Sequence, residues 1–335
     1  MDKIRNNAIV KKIGFNSLVL LVIMILLYIL FAILVPIVNA KANTTFVSWS
    51  RIVSALNYAY FLGFLSLGVT FVIATGGIDF SIGPVMFCAA LISGYQLTMK
   101  GWPLVVCLLL SVLVGAMFGV FNGLLVSFGG LPSFITSMAS MMIAKGVGSV
   151  WTKTQSVSWP QSAAENGAYR NLVRINVGGV DIPTGLIILL VGAIICSIIL
   201  NKTKIGRYIL CIGSNREAVR LSGVNTKKWE TLAYIICGLM AGIAAIFYVG
   251  AYTTVQPGLG DTFNNDAIAG CVMGGTSMAG GVASIGGTLI GVLIISLLQE
   301  GILAMGKNIN YQYIITGLIV LVVVYTDLRS RRRRS

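Results

Sequence analysis

Long apolar runs alternate with short polar stretches along the chain, and most of the apolar runs are long enough to cross a bilayer. A transmembrane helix needs roughly 20 predominantly apolar residues. Ten spans are predicted, and they cover Phe15–Val38, Leu56–Thr75, Val85–Thr98, Leu104–Phe128, Ser133–Trp151, Pro183–Leu200, Glu230–Ala251, Asp266–Val272, Thr288–Met305 and Tyr311–Tyr325. Eight full spans fit nearly as well if the short eighth span and a neighbour are re-entrant. The pattern therefore predicts an all-α polytopic membrane protein with broken segments, as one transmembrane domain over residues 1–335.

Composition and charge support this prediction and suggest an orientation. The chain is 56% hydrophobic and 10% charged, whereas soluble domains carry roughly 25% charged residues. Positive charge marks cytoplasmic loops, and a topology with both termini inside puts 16 of the 24 basic residues there. The predicted cytoplasmic parts are the N-terminal tail 1–14, a coupling loop 202–228 and a basic tail 328–335, and loop 152–182 is external. The net charge of +14 does not indicate nucleic-acid binding, because no basic face is interleaved with aromatic residues.

A polar island, Asn201–Trp229, contains a short helix with two specified ends. Ser214 and Glu217 have the spacing of a capping box, in which each side chain bonds to the backbone N–H of the other residue. Gly223 supplies the left-handed residue that ends a helix, so a helix is predicted over Asn215–Ser222. Its basic surroundings are Lys202, Lys204, Arg207, Arg216, Arg220, Lys227 and Lys228. A capped helix in a basic loop favours docking of another protein, and an ordinary connecting loop is the alternative.

Glycines interrupt one hydrophobic segment in each half of the chain. The first break, Gly76–Pro84, holds three glycines and a proline, and the second, Gly274–Gly287, holds three glycine pairs. Such breaks indicate a transport pathway, because unwound backbone is tolerated at membrane depth only where protein or water covers it. Close helix packing is the alternative for any single glycine. The candidate pathway residues are Gly76, Gly77, Asp79, Ser81, Asp266, Gly274, Gly275, Thr276, Ser277 and Glu300.

Four ionisable residues are predicted within or at the edge of the membrane: Asp79, Lys145, Asp266 and Glu300. Such residues face protein or water and often mark a pathway. A structural role is the alternative, as a helix cap or as one member of an internal ion pair. Asp79 is placed to cap a helix that starts near Ser81, and Asp266 to act as the N-terminal cap or first-turn acid of the eighth span.

The sequence lacks several groups that are common in catalytic and metal-binding sites. It contains no histidine, which is the commonest general base and metal ligand. Its six cysteines have no CxxC spacing and mostly lie in apolar runs, as packing residues do. It also has no Gly-x-x-x-x-Gly-Lys-Ser/Thr loop for nucleotide phosphates. No catalytic residue, metal or cofactor is predicted, and ATP, if used, must be bound by another chain.

Three motifs in this order resemble the permease subunits of bacterial ribose, galactose and xylose ABC importers. They are Thr75–Gly83, Ile212–Val224 and Asp266–Gly281, and the resemblance extends from about Ile52 to Asp327. Importers of this kind carry a cytoplasmic Glu-Ala-Ala-x-x-x-Gly sequence. Here Glu217-Ala218 and Gly223 fit that spacing, with Val219 in place of the last alanine.

The resemblance implies a fold, partners and site residues. The expected fold has about ten helices, in an arrangement similar to that of the vitamin B12 importer permease. The expected partners are a second permease subunit, a cytoplasmic ABC ATPase with two nucleotide-binding modules, an extracytoplasmic sugar-binding protein and the lipid bilayer of the bacterial cytoplasmic membrane. The residues expected to couple to the ATPase are Ser214, Asn215, Arg216, Glu217, Ala218, Leu221 and Gly223.

Two other functions compete with an importer permease. An ATP-independent secondary sugar carrier or channel would also use broken helices, but it needs no capped cytoplasmic helix. A membrane-embedded aspartyl protease would use Asp79 and Asp266, whose carboxylates would have to reach a shared water molecule. The lack of histidine and of other clustered acids disfavours this enzyme.

Overall fold

The apolar runs form helices that account for nearly all of the fold. The computed structural model describes residues 15–39, 45–162 and 166–332. The α-helices in these residues are α1 Phe15–Val38, α2 Trp49–Ala74, α3 Ile82–Lys100, α4 Leu104–Ser127, α5 Ser133–Trp151, α6 Thr184–Lys202, α7 Lys204–Ser214, α8 Arg216–Leu221, α9 Thr226–Tyr252, α10 Asp261–Met273, α11 Ile285–Ala304 and α12 Asn310–Arg332. The predicted tail 1–14 lies outside the described residues, as does the end of tail 328–335.

Seven of the described helices are long and apolar enough to cross a membrane: α1, α2, α3, α4, α6, α9 and α11. The other three predicted spans correspond to α5, α10 and α12. Helix α10 has 13 residues and is therefore about 20 Å long, short of the roughly 30 Å hydrocarbon core. The prediction of an all-α bundle with a short eighth segment is confirmed, although α10 begins at Asp261 rather than Asp266.

The most apolar helices lie on the outside of the bundle. Helix α1 has a mean hydropathy of 3.5 over a segment that is 11% buried, whereas α2 has 1.7 over a segment that is 89% buried. Lipid tails are as apolar as leucine, so hydrophobicity does not drive one transmembrane helix against another. The less apolar helices α2 and α9 can therefore occupy the centre, where small and hydroxylated residues make close contacts.

Glycines allow the backbones of α4 and α9 to come into direct contact. A Cβ atom at Gly115 would lie 2.3 Å from the carbonyl oxygen of Gly238, and one at Gly238 would lie 2.2 Å from that of Gly115. Gly119 and Gly242 are equally close to the facing helix. For these residues the packing interpretation of the glycines is correct, since any larger side chain would separate the two helices.

Short strands and one 3₁₀ helix hold the long loop 152–182 against one end of the bundle. They are β1 Val157–Ser158, the 3₁₀ helix Gly167–Leu172, β2 Ile175–Val177, β3 Val180–Ile182 and β4 Thr254–Val255. Strand β1 pairs antiparallel with β4, and β2 pairs with β3. The buried indole of Trp159 donates to the carbonyl of Ala90, 3.1 Å away. The sequence pattern did not predict these strands, because strands of two or three residues have no detectable periodicity.

Candidate functional site

The short helix α8 is present, but its N-terminal cap is one residue later than predicted. Asn215 is the cap, and its Oδ1 accepts from the backbone N–H of Ala218 at 3.0 Å. Ser214 instead ends α7, and its hydroxyl donates to the carbonyl of Leu210. The predicted capping box is therefore wrong. Asparagine and serine are comparable N-caps, and α7 keeps helical geometry through Ser214, so Asn215 is the first residue free to cap.

Helix α8 lies on the surface and is stabilised by an ion pair within the helix and by a left-handed residue after its end. Glu217 accepts two hydrogen bonds from the guanidinium of Arg220, at 2.6 and 2.9 Å. These bonds lower the pKa of the Glu217 carboxyl below its usual value. Gly223 has the predicted left-handed backbone, with φ of +81°. No residue of α8 is buried, and Leu221 is 73% exposed, so α8 presents both charge and an apolar side chain to a partner.

Two contacts join the α7–α8 segment to α9. The guanidinium of Arg216 lies 2.7 Å from the carboxylate of Glu230, whose side chain is nearly buried at the start of α9. The rings of Tyr208 and Trp229 pack with their centroids 4.9 Å apart. The α7–α8 segment is therefore attached by side-chain contacts to α9, which lies at the centre of the bundle.

Both glycine breaks meet at the last turn of α7, just before α8, in a contact that we call the glycine junction: Ala74, Gly76, Gly213, Gly280 and Gly281. The N–H of Gly281 donates to the carbonyl of Ala74 at 3.0 Å and so connects the second break to the first. Gly213, in the last turn of α7, fills the remaining space. A Cβ atom there would lie 2.0 Å from the Ala74 oxygen and 2.5 Å from the Gly281 nitrogen. Of the predicted pathway glycines only Gly76 belongs to this junction, and only the fold brings it beside Gly213 of α7.

Most contacts of the second glycine break are made within the break or with the helices on either side of it. Gly275 has a left-handed backbone, with φ of +89°. The N–H of Thr276 donates to the carbonyl of Cys271, and its hydroxyl accepts from the N–H of Ser284 at 3.3 Å. The Ser277 N–H donates to the carbonyl of Val282. A Cβ atom on Gly274 would lie 2.3 Å from the backbone of Gly287, so Gly274 allows α10 and α11 to approach each other.

Asp79 is buried in a hydrogen-bonded network just before α3. Its Oδ1 accepts from the N–H and the hydroxyl of Ser81, at 2.8 and 2.6 Å. Its Oδ2 lies 3.4 Å from the side-chain nitrogen of Asn122, which also donates to the Ser81 hydroxyl at 2.9 Å. Ser140 donates to the oxygen of Asn122. The predicted capping role of Asp79 is wrong, because the N-cap of α3 is Ser81 and no side chain caps the helix; Asp79 instead accepts from the cap residue in the turn before the helix. Asn122 is a partner that sequence reasoning missed.

Asp266 does not have the position that the sequence suggested. It is the sixth residue of α10 rather than its cap or first-turn acid, a place taken by Asp261. Asp266 is buried and accepts from the hydroxyl of Tyr58 at 2.5 Å and from the side-chain amide of Gln312 at 3.0 Å. Asp79 and Asp266 belong to separate networks with no shared partner, which is not the arrangement of an aspartyl-protease pair.

The other two ionisable residues form ion pairs at the end of the bundle away from α8. Glu300 accepts from Arg51 at 2.8 Å, and Lys145 pairs with Asp261. The ion-pair interpretation therefore fits Glu300, whose side chain is buried, whereas the Lys145–Asp261 pair lies on the surface. Within the described ranges, no group of three potential ligands of the His, Cys, Asp or Glu type could hold a metal ion.

These features define a class: a multi-pass helical membrane protein whose interrupted segments contact the helix that directly precedes an exposed, capped surface helix. A family model described as the branched-chain amino acid transport system / permease component matches residues 51–324. The chain belongs to this family and is a transport permease rather than an enzyme.

Curated relatives cover most of the chain. The ribose import permease protein RbsC of Bacillus subtilis is 31% identical over 88% of this chain and 89% of its own. The protein of the same name from Escherichia coli K12 is 33% identical over 80% and 82%. The xylose transport system permease protein XylH of Escherichia coli K12 is 28% identical over 86% and 87%. No solved structure gives a significant match.

Proposed function

We propose that this chain is the membrane-spanning permease of an ATP-binding-cassette importer for a ribose- or xylose-like monosaccharide. An extracytoplasmic binding protein delivers the sugar, and a separate ATPase subunit with two nucleotide-binding modules drives its passage. The permease pairs with a second permease, identical or different, as one transmembrane domain in the bacterial cytoplasmic membrane. Its helices adopt an arrangement similar to that of the vitamin B12 importer permease. The sugar permeases among the relatives support this proposal.

The observation that carries the proposal is the exposed helix α8. A six-residue helix with a capped start and a left-handed residue after its end is a stiff unit. Leu221 on this helix is 73% exposed, and in this proposal it enters a cleft on the ATPase subunit. An ATP-independent carrier does not need such a helix.

Coupling follows from the two connections of the α7–α8 segment. When the ATPase modules close, they push α8, and the Arg216–Glu230 ion pair passes the displacement to α9. The glycine junction passes it to both broken segments, because Gly213 touches Ala74 and Gly281 directly. In this scheme α8 and both termini are cytoplasmic. The end that carries Arg51, Glu300 and loop 152–182 faces the binding protein.

The test of this scheme compares two exposed leucines at opposite ends of the bundle. Leu221→Asp in α8 is expected to reduce recovery of the ATPase subunit with the affinity-purified permease at least tenfold and to abolish ATP-driven uptake. Leu259→Asp is the matched control, because Leu259 is also exposed (51%) but lies in the loop before α10. ATPase recovery should stay normal in this control. Full recovery and uptake with Leu221→Asp would refute the coupling role of α8.

The description of the family model favours a second substrate class, branched-chain amino acids. Uptake of radiolabelled D-ribose, D-xylose and L-leucine by vesicles that contain the whole importer separates the two classes. We expect ATP-dependent uptake of a sugar and none of leucine. Leucine uptake would assign the second class, and sugar uptake that continues without the ATPase subunit would indicate a secondary carrier.

A further inference from the structure

The hairpin of β2 and β3, at the end of the bundle away from α8, has an uncovered apolar face. In its register, Ile175 lies opposite Ile182 and Val177 lies opposite Val180. Successive side chains of a strand point to opposite faces, so these four residues share one face of the hairpin. Their exposure ranges from 37% at Ile175 to 57% at Val177. This face is therefore apolar and open.

The polar groups on the opposite face bond to one another. The carboxylate of Asp181 accepts from the side-chain amide of Asn176 at 2.8 Å and pairs with Arg174 at 3.4 Å. The Oδ1 atom of Asn176 accepts from the backbone N–H of Gly179 in the turn, at 3.2 Å. These contacts stabilise the hairpin from its polar side, and they leave the apolar side for contact with something outside the chain.

A hairpin of this kind needs a surface to pack against. Within the part of the chain that the structure describes, β2 and β3 pair only with each other. An isolated two-stranded hairpin is marginally stable at best in water. Exposed apolar patches usually mark contact with a protein or with a membrane. The position and the chemistry of the hairpin distinguish these two partners.

The hairpin lies where two helices of transmembrane length begin. Ile182 is two residues before Thr184, the first residue of α6, and is therefore at most about 7 Å from it. The Thr184 hydroxyl donates to the carbonyl of Asn171 at 2.7 Å. The indole of Trp49, the first residue of α2, donates to the backbone carbonyl of Asp181 at 2.8 Å. Because α2 and α6 can both cross the membrane, the hairpin is placed at the bilayer surface.

The exposed apolar residues of β3 are followed directly by those of α6. No charged residue occurs between Ile182 and Lys202. Ile187 and Ile194 of α6 are 63% and 59% exposed, and lipid covers such side chains on a helix that spans the membrane. Trp49, which is half-exposed beside the hairpin, belongs to a residue type that is enriched at membrane–water interfaces. The lipid that surrounds α6 is therefore next to the hairpin.

The composition of the apolar face favours lipid over a protein partner. Protein interfaces depend on a few central residues, among which Trp, Tyr and Arg are enriched and Val is under-represented. The four residues of this face are two isoleucines and two valines, without an aromatic or charged side chain among them. Such a face offers neither shape nor charge for the recognition of one protein, but it fits an acyl-chain surface.

We propose that Ile175, Val177, Val180 and Ile182 contact the bilayer leaflet at this end of the bundle and hold loop 152–182 at the membrane surface. The strands lie at the level of the lipid headgroups, because open sheet edges do not occur in the hydrocarbon region. Only the apolar side chains point toward the acyl chains. The proposal depends on the membrane location of the chain and not on its substrate or its ATPase.

Spin labels on the two faces of the hairpin test this contact. Val177→Cys and Asn176→Cys are made separately in a Cys211→Ser background, because Cys211 is exposed and the other five cysteines are buried. The full-length permease in nanodiscs of phosphatidylcholine and phosphatidylglycerol is labelled with a nitroxide. Electron paramagnetic resonance then measures collisions with O₂, which concentrates in lipid, and with nickel–EDDA, which stays in water. We expect the O₂-to-nickel collision ratio to be several-fold higher for Val177→Cys than for Asn176→Cys.

Threonine substitutions test whether apolar side chains hold the hairpin against lipid. Ile175→Thr and Val177→Thr together keep the β-branched shape that suits a strand, but they add two hydroxyl groups to the face. The label is placed at Val180→Cys, opposite Val177 on the neighbouring strand. Without the threonines, this label should match that of Val177→Cys. With them, its collision ratio should fall toward that of Asn176→Cys.

Three results would overturn the proposal. A collision ratio as low for Val177→Cys as for Asn176→Cys would place the apolar face in water. A Val177→Cys label that neither reagent reaches would show that protein, such as a second permease, covers the face. An unchanged ratio in the threonine variant would show that the apolar side chains do not determine the contact. None of these results bears on the proposed transport function, which the uptake measurements test.

Discussion

The two ends of the bundle are built in opposite ways. At the α8 end, backbone meets backbone through the glycine junction, and a Cβ atom at Gly213 would lie 2.0 Å from a carbonyl oxygen. At the other end, aromatic side chains and ion pairs surround open space. A contact between backbone atoms has little free space around it. It is expected to transmit displacement, because close-packed protein is hardly compressible. An end that has cavities and rotatable side chains can instead adapt to a ligand.

The comparison predicts that the glycine junction tolerates no added atoms. Gly213→Ala is expected to cost about 3 kcal/mol or more of stability, the upper end of the usual overpacking cost, because backbone atoms cannot rotate away. The thermal unfolding midpoint of the purified protein should fall, and ATP-driven uptake should be lost. Gly286→Ala is the control, since nothing lies within 4 Å of a Cβ atom there. Equal stability and uptake in both variants would show that the glycine junction can accommodate a methyl group.

A smaller difference is expected when one aspartate at each end loses its charge. In Asp79→Asn, an amide NH₂ would face one of the donors on Ser81 or Asn122, so the variant should lose about 1–3 kcal/mol of stability. Asp261→Asn removes a more exposed carboxylate that pairs with Lys145 and should cost no more than about 1 kcal/mol. Thermal unfolding of the two variants in the same detergent measures the difference. If Asp261→Asn lost more stability than Asp79→Asn, the end of the bundle away from α8 would be the more rigid one.

The smallest effect concerns pH and the surface of α8. Hydrogen bonds from Arg220 lower the pKa of Glu217, so the stabilisation of α8 by this pair is complete above the usual carboxyl pKa of about 4.3. It is lost as the pH falls through the lowered pKa of the folded state. At pH values below about 4, the amide-exchange protection of Ala218 to Leu221, corrected for intrinsic exchange rates, should decrease slightly.

Two variants control this measurement. Glu217→Gln and Arg220→Gln each remove the same ion pair, so they should show the reduced protection already at neutral pH. Normal protection in both variants at neutral pH would mean that the pair adds nothing to α8, and that its caps alone hold the helix.

Local chemistry made part of this molecule predictable. The apolar runs became helices because a span must satisfy its own backbone hydrogen bonds. Gly223 ends α8 because few other residues adopt its positive φ. Cap assignment was less certain, since Ser214 and Asn215 both suit an N-cap. The choice depended on how far α7 continues, which packing decides.

By itself, the sequence determined the approximate limits of the apolar helices, the two glycine breaks and the presence of a short capped helix, but not the helix α7 before it. Each of these depends on residues close to one another in the chain. Only the tertiary structure decided that Gly213 joins both breaks, that Glu300 pairs with Arg51, and that Asn57 and Gln299 line the same cavity. These contacts join residues far apart in the chain, and apolar composition leaves many helix arrangements nearly equal in lipid. The close fit of small and polar residues selects one of them.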